Sequence, residues 1–252
     1  MDEPRALVER LAADRNLGAA ETARAAAPLL AATPREELPD AVDALLRGHP
    51  SMAPLWRLAD AVLRNGADGA NGFLGTLADD GQAAAVAAAV LSDTVLTISS
   101  SSTVAAAIRI RRPRHVVCMA SHPGGEGLSM AGTVSAWSET TVADDDEAIR
   151  SLPAEAVVVG ADAVTPHAVI NKVRTRDLAE AALARGLPCY VIAGSAKFIS
   201  VALPVVPPFE ATPLGAFTAI ATAAGLITPQ QAADRASRVT VHPALALLVE
   251  RL

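Results

Sequence analysis

After about residue 92, the sequence alternates short β-prone runs with helical patterns, and this alternation constrains the fold most strongly. The β-prone runs cover 94–98, 115–119, 140–143, 156–160, 188–192 and 239–241, and the helical patterns between them include 103–110, 175–185 and 216–224. Such a series is typical of a parallel sheet that is covered by helices on both faces. The sequence therefore predicts an α/β protein with a sheet domain over 91–252, and ligands should bind at the carboxyl ends of its strands.

The first 90 residues have a different pattern, which predicts a helical domain over 1–90. Apolar residues recur at helical spacing in 5–11, 21–30 and 40–46. A fourth helix is expected over 51–64, where the Asn-Gly pair that follows should end it.

Composition and charge argue against several classes of protein. The 252 residues are 51% hydrophobic, so the chain can bury a large core. The net charge of −6 argues against a duplex nucleic-acid binder, although a local basic patch at 109–114 stays possible. No run of about 20 apolar residues indicates a membrane span, and Asp2 and Glu3 are unlike the basic start of a signal peptide. We therefore expect a cytoplasmic protein with no nucleic-acid and no membrane partner.

The two cysteines, Cys118 and Cys189, both fall inside apolar runs. This position favours buried thiols over a disulfide. Two cysteines without clustered histidines do not form a zinc site. We expect neither a metal nor a cofactor.

Two loops after predicted strands have compositions that suit a ligand. Five hydroxyl residues at 99–103 lead from a strand into a helix. Hydroxyls and free backbone N–H groups there suit a phosphate, and a simple serine-rich helix cap is the alternative. The next loop contains His122, Gly125 and Glu126, and its glycines allow the backbone to approach a ligand. An ordinary glycine-rich turn is the alternative for this second loop.

Charged residues follow two later strands. Asp162 ends a buried run, where an acidic residue suits general acid–base chemistry, although it could instead cap the next segment. Asn171 and Lys172 lie just before a helix, and Lys172 would bring positive charge near Asp162. Lys197 follows another strand, so the only two lysines of the chain both fall in candidate ligand loops.

Around these residues the sequence resembles one superfamily. It contains methylthioribose-1-phosphate isomerase, ribose-1,5-bisphosphate isomerase, and the alpha, beta and delta regulatory subunits of eukaryotic initiation factor 2B. Its "GAD…NKxGT…LA" signature is matched by 160–162, 171–175 and 178–179, with further matches at 49–52, 188–191, 197–198 and 209–213. The resemblance spans roughly 95–229 and implies an N-terminal helical domain, a Rossmann-like sheet domain and a homodimer.

The resemblance also implies roles for individual residues. In the isomerases, a cysteine and the aspartate of the signature move protons between C1 and C2 of a ring-opened sugar phosphate. The aspartate corresponds to Asp162 and the cysteine position to Ser99. The substrate-binding positions correspond to Ser101, Ser102, Thr103, Asn171, Lys172 and Lys197.

Several positions depart from the family pattern. Serine replaces the cysteine at Ser99, and a serine alkoxide is far harder to form than a thiolate. His122 and His49 replace arginines, which removes permanently charged donors for phosphate, whereas Gly125 and Glu126 keep the rest of their loop. Arg174 replaces the glycine of the "NKxGT" motif.

Two functions therefore stay open. One is a regulatory or divergent protein, similar to the initiation factor 2B subunits, that binds a phosphorylated sugar or nucleotide. The other is an aldose–ketose isomerase that acts on a pentose phosphate, with Asp162 as the proton shuttle. In both cases the expected partners are a phosphorylated small molecule and a second copy of the chain.

Overall fold

The computed structural model of the chain describes residues 4–252, so Asp2 and Glu3 lie outside the described residues. The first part of this region is helical. Its helices are α1 (Pro4–Ala13), α2 (Ala19–Ala32), α3 (Leu38–Gly48), α4 (Ala53–Thr76) and α5 (Asp79–Ala88).

The three helices expected first are confirmed as α1, α2 and α3. The fourth helix is interrupted at the Asn-Gly pair, as expected, but a second helical segment follows directly and extends to Thr76, so α4 consists of two segments joined by a kink. At Gly66 the backbone leaves helical geometry, with φ of 57° and ψ of −137°, so the glycine produces a kink and helical hydrogen bonding resumes after it.

The rest of the chain alternates strands and helices, as predicted, and contains two sheets. The strands are β1 (Thr94–Thr97), β2 (His115–Met119), β3 (Glu139–Ala143), β4 (Ala156–Val159), β5 (Ala163–Val164), β6 (Ala168–Lys172), β7 (Cys189–Ile192), β8 (Phe209–Pro213), β9 (Ala219–Thr222) and β10 (Gly225–Ile227). The helices are α6 (Ser102–Arg111), α7 (Glu126–Val134), α8 (Asp145–Ser151), α9 (Thr175–Ala184), α10 (Pro229–Ser237) and α11 (Pro243–Val249).

Seven strands form the main sheet in the order β10-β9-β7-β4-β1-β2-β3. All neighbours are parallel except β10 and β9, which pair as an antiparallel hairpin. From β1 the chain moves outward through β2 to β3, then crosses to β4 and moves outward in the other direction through β7. The change of direction between β1 and β4 is a topological switch point, where ligands bind in folds of this type.

Alternate residues of the central strands face opposite sides of the sheet. Val95, Val116 and Val158 belong to a core with α5, α6 and α7. Leu96 and Val157 belong to a second core with α8, α9 and α10. The strands are apolar on both faces because helices cover both faces.

A smaller antiparallel sheet in the order β5-β6-β8 lies beside the main one. Ala163 and Ile170 of this sheet share a third core with α1 to α4 and with Leu245 of α11. The small sheet therefore joins the helical part to the main sheet. This arrangement places Asn171 and Lys172 at the end of a strand, β6.

Two expectations about the C-terminal region were wrong. Residues 219–222, expected to be helical, form β9, because Ile220 and its neighbours pair with β7 and extend the main sheet. The expected strand at 239–241 is irregular chain between α10 and α11, where Val241 packs against the core of the helical part. Tertiary context overrides local propensity in both places.

The division of the chain at residue 90 stays a prediction. Core membership assigns α5 to the sheet side, since Ala83, Ala84 and Ala87 pack with α6 and the sheet. Throughout 4–252, no helix has both the length and the apolar character that a membrane crossing requires.

Candidate functional site

A cavity of about 980 Å³ lies at the switch point between β1 and β4, between the helical part and the carboxyl edge of the main sheet. Nine of the eleven residues predicted for the site line it. They are Ser99, Ser101, Ser102, Gly125, Glu126, Asp162, Asn171, Lys172 and Lys197. Thr103 and His122 do not line the cavity: Thr103 is buried, and the side chain of His122 is exposed to solvent.

The hydroxyl side of the cavity, as we call Ser99, Ser101 and Ser102, follows β1. Ser101 is the N-cap of α6, and its Oγ accepts a 3.4 Å hydrogen bond from the backbone N–H of Val104. The same Oγ lies 2.9 Å from the hydroxyl oxygen of Thr103. Ser102, the first residue of the helix, is exposed. The start of α6 therefore presents hydroxyls and backbone N–H groups toward the cavity, as an anion site requires.

Gly160 makes this arrangement possible. A Cβ atom at position 160 would lie 2.5 Å from the Oγ of Ser101 and 2.9 Å from its Cβ. Only a glycine at the end of β4 allows the N-cap of α6 to approach so closely. The glycine of the "GAD" motif thus brings the loop after β4 against the hydroxyl side.

The charged side of the cavity, as we call Glu126, Asp162, Lys172 and Lys197, lies opposite. The backbone of Asp162 is fixed on both sides, since its N–H donates to Ile170 O at 2.8 Å and its C=O accepts from Ala53 at 2.9 Å. Ala53 is the first residue of α4, so Asp162 links the sheet to the helical part.

The Asp162 carboxylate accepts no hydrogen bond from any of the described residues, and its side chain keeps some exposure to the cavity. Removal from bulk water raises the pKa of Asp162 to about 6, and the positive charge of Lys197 opposes this shift. A carboxyl group with this pKa exchanges its proton readily near neutral pH, as a general acid or base must.

The two lysines have different partners. Lys197 ends a short 3₁₀ turn, Ser195–Lys197, and its Nζ donates to the carbonyl oxygen of Ala161. Lys172 is 3% exposed, and its Nζ donates to Glu126 Oε1 at 2.6 Å. The charge expected from Lys172 beside Asp162 is thus supplied by Lys197, whereas Lys172 pairs with Glu126.

Asn171 is held by its own strand end. Its Nδ2 donates to the Thr175 hydroxyl at 3.1 Å, and that hydroxyl donates to Lys172 O at 2.6 Å. The second oxygen of Glu126, Oε2, is buried and has no hydrogen-bond partner within 4–252. The charged side thus combines two lysines that are held by internal hydrogen bonds with two acceptors that lack partners, the Asp162 carboxylate and Glu126 Oε2.

The comparisons with known proteins agree with this architecture. A model of the initiation factor 2 subunit family matches residues 19–203, well over half of the sequence. The chain belongs to the initiation factor 2 subunit family. None of the curated proteins that were compared matches it.

Solved structures extend the comparison. The Pyrococcus horikoshii OT3 translation initiation factor eIF-2B is 25% identical with a TM-score of 0.82, over 92% of this chain and 99% of that chain. A tetrameric eIF2B-beta2-delta2 complex from C. thermophilum is 19% identical with a TM-score of 0.69, over 92% and 91%. The 5-methylthioribose 1-phosphate isomerase of Pyrococcus horikoshii OT3 is 18% identical with a TM-score of 0.62, over 94% and 88%. The fold is shared by factors and by an isomerase.

This member of the initiation factor 2 subunit family also has basic residues at the cavity that lie outside its recognisable motifs. Arg15, Arg47 and Arg109 line it from the α1–α2 loop, α3 and α6. Arg47 donates to Asp43 at 2.6 Å, whereas Arg109 is exposed. The sequence did not predict that these three arginines lie at one cavity, because they are far apart in the chain and the elements that carry them meet only in the folded protein.

His49, in the position of a family arginine, lines the cavity but is directed elsewhere. Its Nε2 lies 2.9 Å from Leu11 O and is the donor there, since a carbonyl oxygen only accepts. Burial lowers the pKa of His49. The neutral His49 ring donates to α1 and therefore does not replace the charged phosphate donor that an arginine would provide at this position.

The remaining candidate groups lie away from the cavity. Burial raises the pKa of both thiols, Cys118 and Cys189, to about 12, and both are free and buried, as predicted. Within the described chain, no three His, Cys, Asp or Glu side chains are grouped as a metal site would need.

Proposed function

We propose that this initiation factor 2 subunit family protein binds a phosphorylated sugar or nucleotide in the cavity and acts in a regulatory or divergent role. One observation carries the proposal. The open start of α6 and the charged side, with its free Asp162 carboxylate, line the same cavity.

The charges indicate how such a ligand would lie. The charged side contains two cations and two carboxylates, so its formal charges cancel and it suits the hydroxyls of a sugar better than a dianion. The start of α6 offers neutral donors and the positive end of the helix dipole, which suit a phosphate. Exposed Arg109 on the same helix adds positive charge at the rim.

Binding without turnover is favoured by the residue at position 99. Ser99 lines the cavity where the isomerases use a cysteine. A serine hydroxyl needs a strong adjacent base to react, and no side chain described in 4–252 accepts a hydrogen bond from it.

An isomerase is the second candidate, and the raised pKa of Asp162 favours it. A carboxyl group that titrates near pH 6 could move a proton between C1 and C2 of a pentose phosphate while Lys197 holds the sugar. The isomerisation moves one proton from C2 to C1, which Asp162 would carry, and a second from the C2 hydroxyl to the adjacent C1 oxygen through the enediol. No electron leaves the substrate, so the reaction would need no metal or cofactor.

We also propose a cytoplasmic homodimer. The free, buried thiols Cys118 and Cys189 are compatible with a reducing compartment. The C. thermophilum relative is a tetrameric beta2-delta2 complex, and this assembly of similar chains supports the proposal.

The test is thermal unfolding with ribose 5-phosphate, ribose 1,5-bisphosphate, methylthioribose 1-phosphate, AMP and inorganic phosphate. A ligand at 100 times its Kd should stabilise the protein by about 2.7 kcal/mol, which raises Tm by roughly 5–10 °C at this size. Absence of any shift across the panel would refute the proposal for these ligands. Assay of the binding compounds for a ketose product then separates the two candidates.

Two variants at one position locate the phosphate. In Ser102→Glu, a carboxylate at the start of α6 should abolish the shift while the helix itself gains stability. Ser102→Gln, of the same size without the charge, should bind within a few-fold of wild type. Equal binding by both variants would place the phosphate elsewhere in the cavity.

A further inference from the structure

Beneath the hydroxyl side, a chain of buried hydrogen bonds connects three loops. It begins at Asp145, the first residue of α8, which is 6% exposed. Asp145 Oδ1 accepts from the backbone N–H of Ser121 at 2.7 Å, and Oδ2 accepts from that of His122 at 2.8 Å. One carboxylate therefore holds two consecutive peptide groups of the loop after β2.

Ser121 continues the chain toward the cavity. It is completely buried, and its Oγ accepts a 2.7 Å hydrogen bond from the backbone N–H of Ser99. The same hydroxyl donates to Met119 O at 2.9 Å. Its single proton is thus committed to Met119, which leaves an oxygen lone pair directed at Ser99.

Both serines have a backbone conformation that needs such support. The φ angles of Ser99 and Ser121 are each 66°, in the left-handed region that residues other than glycine rarely adopt. Conformations of this kind persist where surrounding contacts enforce them, and they are concentrated at functional sites. Here the enforcing contacts are the hydrogen bonds from Asp145 through Ser121 to Ser99.

The Asp145 carboxylate interacts with these backbone amides and with no cationic side chain among residues 4–252. Within 4–252, no Lys, Arg or His forms an ion pair with it, whereas its neighbour Asp146 pairs with Arg174. Two amide N–H groups and the start of α8 offset the buried charge instead. Burying a carboxylate is costly unless it is hydrogen-bonded, and the bonds of Asp145 to Ser121 and His122 meet this requirement.

We propose that Ser121 and Asp145 are positioning residues that set the conformation of the hydroxyl side and thereby control ligand affinity. Neither residue lines the cavity. The effect on affinity rests on the proposed function, whereas the conformational coupling between Asp145 and Ser99 stands without any ligand.

The coupling is tested by residue-resolved amide hydrogen exchange on the full chain. In Ser121→Ala, we expect the Ser99 amide to exchange about tenfold faster while the Ser121 and His122 amides keep their protection. In Asp145→Asn, all three amides should exchange faster, although Asp145 does not touch Ser99. Glu147→Gln is the matched control, since it removes the same charge from an exposed site in the same helical turn and should change none of them.

Amides of β4 report on global unfolding in each variant. An unchanged Ser99 rate in Ser121→Ala would overturn the coupling, and so would equal acceleration of the Ser99 and β4 amides. If Asp145→Asn does not fold, the Ser121→Ala pattern decides the question.

The effect on affinity is measured with inorganic phosphate as the probe. Ser121→Ala should weaken phosphate binding about tenfold, whereas Glu147→Gln should bind as wild type does. Unchanged affinity in Ser121→Ala would refute the control of affinity. If wild type itself binds no phosphate, the proposed function fails for this probe, and hydrogen exchange still decides the positioning role.

Discussion

The two sides of the cavity hold their polar groups by different means. On the charged side, Lys172 is 3% exposed and ends in an ion pair with Glu126. On the hydroxyl side, the backbone N–H of Ser99 donates to the Ser121 hydroxyl, and the Ser101 hydroxyl accepts from Val104 as a helix cap. One side therefore depends on pairing between charges, and the other depends on backbone geometry.

This difference has a consequence for how each side responds to substitution. Removing one partner of a buried ion pair leaves an uncompensated charge, so the loss appears in the free energy of unfolding. Removing a hydroxyl that positions a loop costs less stability and changes local conformation instead.

The ion pair of the charged side should be the most sensitive point. We expect Lys172→Met to lower the free energy of unfolding by about 2–3 kcal/mol, because half-buried Glu126 loses its partner and already has one unpaired buried oxygen. Urea unfolding at pH 7 measures this loss. The double variant Lys172→Met with Glu126→Gln should recover part of it, since no charge is then left unpaired.

Arg47→Met is the control, since it breaks the 2.6 Å Arg47–Asp43 pair, in which both side chains are exposed. It should change stability by less than about 0.5 kcal/mol. Equal losses from the two variants would mean that burial of Lys172 adds nothing to its pair with Glu126.

The pH dependence of stability should follow Asp162. Its folded pKa of about 6 lies above the unfolded value of about 4, so the folded state binds the proton more tightly. Raising the pH from about 4 to about 6 should therefore lower the free energy of unfolding, by about 2 kcal/mol, with little further change above this window. Asp162→Asn lacks this contribution, so its stability relative to wild type should rise by that amount over the same range.

Urea unfolding of both proteins at half-unit pH steps measures the difference. Asp68→Asn, at an exposed position of α4, is the control and should run parallel to wild type. Parallel curves for Asp162→Asn and wild type would show that the Asp162 carboxyl titrates alike in the folded and unfolded states.

The sequence predicted which charged residues lie at the cavity better than it predicted which of them form ion pairs. Asp162, Lys172 and Lys197 were found because charged residues after apolar strands are conspicuous, and all three line the cavity. The pairing of Lys172 with Glu126 was missed because the two residues are 46 positions apart and meet through β6 and α7. Such contacts depend on how elements pack, which local pattern does not encode.

On the hydroxyl side, the sequence indicated the cavity residues but not the residues that support them. The serine run and its place before a helix were evident, but the support from Ser121 and Asp145 was not. Asp145 lies in a run of four acidic residues, which ordinarily indicates a solvent-exposed helix start. Its burial results from the loop after β2 crossing α8, and Ser121 gave no signal beside the more conspicuous His122.

The same limit applies to the sheets. The parallel strands were recognisable from apolar runs, because a strand buried on both faces needs no partner-specific pattern. β9 was predicted as a helix since Ala-rich residues favour helices, and only its position beside β7 makes it a strand. The small sheet was not predicted, because β5 has only two residues, β6 ends in Asn-Lys and β8 ends in Pro213, and these residue types are depleted in strands.

The smallest predicted effect concerns two arginines in left-handed backbone conformations. One lies in the chain after the hydroxyl side of the cavity, and the other lies after the charged side. Arg112 has a φ of 52° and follows α6, the helix that begins on the hydroxyl side. Arg174 has a φ of 77° and lies between Lys172 and the start of α9. Glycine adopts this conformation without strain, so Arg112→Gly should stabilise the protein by about 1 kcal/mol. Arg174→Gly should gain only about 0.5 kcal/mol, because it also loses ion pairs with Asp146 and Asp177.

Thermal unfolding measures the difference in stability gain between the two variants, and repeating it at high salt tests its cause. Salt screens exposed ion pairs, so at 1 M salt the gain from Arg174→Gly should approach that from Arg112→Gly. A gap between the variants that persists in salt would assign it to backbone strain rather than to charge. Paired charge would then contribute to stability at the pair of buried Lys172 and half-buried Glu126, and not at the exposed loop that contains Arg174.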